Sequence, residues 1–90
     1  MAISYGTETV TISAVKVLDA NSGDRTRQIC NTDSSVIAYF GPDSSVTTAN
    51  GMPLYPTQSL ANEEILAGYK GDVYVITGSS ADIRYFQYNV

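Results

Sequence analysis

Nine carboxylates and a single thiol, Cys30, are the side chains in this 90-residue sequence that most invite chemistry, and no histidine accompanies them. Without histidine, neither a Ser–His nor a Cys–His nucleophile can be assembled, and zinc lacks its commonest nitrogen ligand. A pair of carboxylates flanking a groove would support glycoside hydrolysis, and Glu63 and Glu64 at least adjoin in sequence. The aspartates argue otherwise. Asp19, Asp24, Asp33 and Asp43 stand among Ser, Asn and Gly, where a short carboxylate hydrogen-bonds its own backbone and shapes a turn. A calcium loop needs alternating oxygen ligands around a glycine at fixed offset, and no stretch has that pattern. Cys30 reads as a small buried hydrophobe. The expectation is no catalytic residue, no metal ligand, no cofactor site, and no enzyme.

The elements that would position any site are strands. Val10, Ile12 and Ala14 alternate with Thr9, Thr11 and Ser13, the period of a half-buried strand. The phase flips at Val15-Lys16-Val17-Leu18, which predicts a bulge or a change of sheet. Arg25–Cys30 reads as a strand between two turn clusters. Residues 35–40 and 72–77 are apolar on both faces, so those strands should be covered on both sides. Asn50-Gly51 is the strongest hairpin signal, with Val46-Thr47-Thr48 before it and Met52-Pro53-Leu54 after it. Asn62–Gly68 is the one segment with helical caps, long enough for a turn. Residues 81–85 make a last strand. Short strands with Gly, Pro and Asn punctuation give an all-β fold: a small antiparallel β-sandwich, jelly-roll-like, of about eight short strands. Residues 1–8 read as an N-terminal arm and residues 9–90 as a single domain.

Size and charge limit the partners. A folded chain of 9.7 kDa buries roughly 60–65% of its extended surface, a thin core, and small domains gain support from disulfides, metals or oligomerisation. One cysteine forms no internal disulfide, so association with other subunits is the expected support. The net charge of −4 with five basic residues disfavours nucleic acid. No apolar run reaches the roughly 18 residues of a membrane span, and the start lacks the pattern of a signal peptide. A lone thiol fits assembly in a reducing cytoplasm.

Seven tyrosines remain. Tyr39 and Tyr74 read as core residues with their hydroxyls at the rim. Tyr5, Tyr55 and Tyr69 read as surface aromatics for protein or sugar, with protein favoured because Tyr is enriched at protein interfaces. Beyond Tyr85 the even positions turn apolar, at Phe86, Tyr88 and Val90. Either the last strand runs on in its sheet, or these residues pack on a neighbouring subunit; the second is preferred. Ile3, Tyr5, Phe86, Tyr88 and Val90 are the expected protein interface.

The run Arg25-x-Arg27-x-Ile29-x-Asn31, then Val36-x-Ala38-Tyr39-x-Gly41, then Val46–Leu54 and a closing Ala81-Asp82-Ile83-Arg84 resembles the small β-sandwich virion structural proteins of tailed bacteriophages. The resemblance extends from Thr9 to Tyr85. Cys30 at a strand position and the extension from Phe86 to Val90 depart from it. It implies a capsid decoration (cement) protein that binds the outside of the shell and stabilises it. It also implies a homo-oligomer, by preference a trimer, with the major capsid protein as partner. The place would be the capsid surface of the virion, assembled in the host cytoplasm. The N-terminal residues 1–6 would then add to a strand edge of the shell protein. The alternative is a tail or fibre module that binds host-surface carbohydrate, with an aromatic pair such as Tyr55 and Tyr69 beside carboxylates.

Overall fold

The computed structural model describes residues 2–19, 24–56, 59–60 and 71–89. Among these residues eight strands follow one another: β1 (Ala2–Val10), β2 (Val15–Leu18), β3 (Asp24–Asn31), β4 (Ala38–Gly41), β5 (Met52–Leu54), β6 (Ser59–Leu60), β7 (Val73–Thr77) and β8 (Ala81–Asn89). They form two four-stranded sheets, ordered β1-β8-β3-β6 and β2-β7-β4-β5, and every pairing is antiparallel. The chain therefore pairs like one long hairpin, β1 with β8, β2 with β7, β3 with β6 and β4 with β5. Rolling that ribbon up brings β8 against β3 and β7 against β4 as well. This is a jelly roll, a double-sheet sandwich. The expected all-β sandwich of about eight strands is what the chain forms.

Alternation decides which face is buried. Along β7 the pattern runs Val73 buried, Tyr74 half-buried, Val75 buried, Ile76 half-buried, Thr77 buried, and β4 does the same with Ala38 and Phe40 inward. In β8, Ala81 and Ile83 face inward while Asp82 and Arg84 face out. These side chains meet Val10, Ile29 and Leu54 from β1, β3 and β5 in one core between the sheets. The doubly apolar strands are thus buried on one face and half-covered on the other, because each sheet has a single partner sheet.

At β2 the alternation breaks. Both Val17 and Leu18 are buried, and the register against β7 shifts between Lys16 and Leu18. An extra residue in a bulge rotates the strand, so consecutive side chains reach the same core. The phase flip seen in the sequence marks two events together, the bulge and the passage from the first sheet to the second. β1 ends at Val10, earlier than the alternation through Ala14 suggests, and Ile12 lies 72% exposed in the crossing.

Two buried polar residues stitch the sheets where the chain crosses. Asn31, fully buried at the end of β3, donates through Nδ2 to the carbonyls of Val36 (2.8 Å) and Leu54 (3.0 Å). Its Oδ1 accepts the Asp33 amide at 3.0 Å. Thr77 on β7 donates from its amide to the Thr11 carbonyl at 2.9 Å and from its hydroxyl to the Val10 carbonyl at 3.4 Å. Buried backbone groups at strand ends need such partners.

Four local expectations are corrected. Residues 35–37 belong to a loop, not a strand, because Asp33 accepts the Ser35 and Val36 amides and so curls the chain before β4. Asn50-Gly51 is not a two-residue hairpin. The Gly51 amide donates to the Thr47 carbonyl (2.9 Å) and Asn50 Oδ1 accepts the Thr47 amide (2.7 Å), closing a wide turn within the β4–β5 connection. Gly51 keeps an ordinary φ; its missing side chain serves a close approach, since a Cβ would lie 2.8 Å from Tyr39 Cβ and Val46 Cγ2. Asp24 opens β3 rather than sitting in the turn. Residues 2–8, read as an arm, lie in β1, paired with β8 along their length. The helical turn expected over residues 62–68 falls outside the described residues.

Candidate functional site on the outer face of the first sheet

The register between β1 and β8 places Tyr5 opposite Phe86, Thr7 opposite Arg84 and Thr9 opposite Asp82. All six side chains point away from the core, since the intervening Val10, Ala81 and Ile83 are buried. At one end of this face Thr9 Oγ1 donates to Asp82 Oδ1 at 2.9 Å, a polar closure. At the other, the Tyr5 and Phe86 rings stack with centroids 6.4 Å apart and 28° between planes. Tyr5 is 72% and Phe86 44% exposed. Such an offset pair stabilises the sheet by about 0.5–1.5 kcal/mol, yet most of its apolar area stays in water.

On the β3 side, Gln28 pairs with Phe86 and Cys30 with Arg84. A shallow depression of about 280 Å³ lies between them, lined by Gln28, Cys30, Arg84, Tyr85 and Phe86. Cys30 is half-buried on this outer face, not in the core; its neighbour Ile29 takes the inward position with no exposure. The face thus joins a flat aromatic patch to an arginine and an amide.

Of the expected interface residues, the fold brings Tyr5 and Phe86 together. Ile3 pairs with Tyr88 two positions further along the same two strands, and Val90 lies outside the described residues. β8 runs on in its sheet to Asn89, between β1 and β3, so the continuing strand and the outward aromatics coexist. Gln28, Cys30 and Arg84 were not expected at the site. Only the pairing of β3 with β8 unites them, and no local pattern reports that pairing.

Asp33, Asp43 and Asp19 are each held by a group close in sequence. The Ser35 and then the Val36 amides hold Asp33 below its ordinary value. The Ser45 hydroxyl and amide do the same for Asp43. Lys16 is raised by its contact with Asp19, 3.1 Å away. Among the described residues no three of Asp, Glu or Cys converge as metal ligands; Glu63 and Glu64 fall outside them. Tyr55 is exposed, and its proposed companion Tyr69 is outside the described residues. A second hollow of about 480 Å³ lies at the β4–β5 connection, bordered by Phe40, Asp43, Val46, Asn50 and Met52.

No protein-family model matches the chain, and neither a curated protein nor a solved structure matches it. Among the described residues no helix is long and apolar enough to cross a membrane.

Proposed function

We propose that this chain is a structural protein of a phage particle, a capsid decoration (cement) protein that binds the outside of the shell and stabilises it. The observation that supports this most is the stacked, solvent-facing Tyr5–Phe86 pair beside the polar Thr7, Arg84, Thr9 and Asp82. Contiguous exposed apolar area beside polar groups marks a protein-binding surface. Tyr and Phe are enriched in such surfaces, while Lys and Glu are depleted. The body beneath is a double-sheet sandwich of a type that capsid domains share with lectins, an analogy of architecture only. Copies of itself, a trimer by the resemblance, and the major capsid protein are the partners in this reading. Its place is the capsid surface.

The test is occupancy on purified shells that lack the protein. Added chain should co-sediment with them and raise their resistance to heat or osmotic shock. The double variant Tyr5→Ala/Phe86→Ala should lose about tenfold or more in affinity, as central aromatic anchors do. Shells of unchanged lability, or occupancy indifferent to both aromatics, would end this reading.

One observation favours a second reading, a tail or fibre module for host-surface carbohydrate. Arg84 and Gln28 border the same depression as Phe86, so hydrogen-bond donors stand beside a ring face. Binding on a glycan array, lost on Arg84→Ala, would select it over the first.

A further inference from the structure

The four edges of the two sheets are built differently. Among the described residues β6 offers two. β5 offers three and places Pro53, which has no amide proton, in the middle. β2 offers four, interrupted by the register shift between Lys16 and Leu18 and carrying an exposed lysine. Shortness, proline, bulges and lysine are the devices that stop an edge from recruiting another strand. β1 has none of them. It runs nine residues in unbroken register with β8, contains neither proline nor a basic residue, and carries one charge, Glu8. Among the described residues nothing pairs with its outer side.

We infer that β1 pairs antiparallel with β1 of a second copy across a two-fold axis, joining the two first sheets into one continuous sheet. Pairing centred on Gly6 uses all nine residues: Ala2 opposite Val10, Ser4 opposite Glu8, Tyr5 opposite Thr7. No like charges then face each other, and Glu8 meets a serine position. Odd positions meet odd positions, so the exposed Tyr5, Thr7 and Thr9 of both copies stay on one side, above buried Val10. The two Tyr5 residues become diagonal neighbours, within aromatic reach at about 7–8 Å. The Tyr5–Phe86 stack of each copy thereby continues into the other as one aromatic band.

The choice of a second copy over a head-to-tail ring follows from the edges. A ring needs a second edge strand to match β1, and among the described residues β2, β5 and β6 each run four residues or fewer. An isologous pair consumes both open edges and closes. The contact is two-fold: it gives dimers or, combined with a separate three-fold contact, hexamers. It needs no shell, so failure to bind shells would leave it standing.

Sedimentation velocity on the full chain, from about 0.1 to about 100 μM, tests it alongside amide exchange. The expected result is an even-numbered assembly, with alternate β1 amides, those turned away from β8, protected. Tyr5→Lys and Thr7→Lys alter exposed side chains and should keep the strand circular-dichroism spectrum. Each should raise the dissociation constant about tenfold or more and expose those amides. Met52→Lys, on the β5 edge, should change neither. A monomer or an odd-numbered assembly at the highest concentration would overturn the inference. So would an even-numbered assembly indifferent to both β1 substitutions.

Discussion

Asn31 shows how much a single side chain carries here. It is fully buried and satisfies carbonyls from two separate segments, so its amide joins β3 to β5 and to the approach of β4. Asn31→Ala strands both carbonyls and the Asp33 amide; the expected loss is about 3 kcal/mol, read from the shift of a urea unfolding midpoint. Asp33 and Asp43 act at the surface and respond to pH. Both titrate below their ordinary 3.8 in the folded chain, through bonds from Ser35, Val36 and Ser45. The unfolded chain therefore takes up protons first as the solution is acidified. Their contribution is complete above the unfolded value and is lost as pH falls through the lower folded one. Urea midpoints should decline from about pH 4 downward, and Asp33→Asn with Asp43→Asn should flatten that decline; an unchanged slope would refute the assignment. These roles were partly legible. Aspartates beside serines announced turns, whereas nothing near Asn31 in the sequence distinguishes it from any polar residue that closes a strand.

The elements divide in the same way. β3, β5, β7 and β8 are visible in the sequence as short runs bounded by turn residues, although β8 continues to Asn89, past the expected end at Tyr85. The bulged β2 was visible too, as a broken phase. The Asn50-Gly51 hairpin was misread because the same dipeptide serves two geometries, and the choice rests on contacts outside it. Tyr39 and Val46 crowd Gly51, so what excludes a side chain is packing, not backbone handedness. Gly51→Ala should cost about 1–3 kcal/mol, measured by thermal or urea unfolding, because the clash at Tyr39 Cβ is rooted in β4. The arm over residues 2–8 was misread for a related reason. With Gly6 at its middle and Ser4, Thr7 and Glu8 around it, the segment has no long apolar alternation, and it holds as strand β1 through its pairing with β8. The aromatic site has the same origin: Tyr5 and Phe86 are 81 positions apart in the chain and meet only through that register.

At the scale of the whole molecule, a core drawn from one face of each sheet leaves a body whose outer aromatics and one long edge remain in water. In the proposed reading, association would remove both from solvent and stabilise the folded state by mass action. The proposed role as part of an assembly rests on that aromatic face and that edge. The most direct measurement is the melting temperature of the isolated chain across about a thousandfold dilution. A midpoint that falls steadily with dilution, while Tyr5→Lys melts at the diluted value throughout, is the predicted result. One midpoint at every concentration, with the mass of a single chain, would contradict the account.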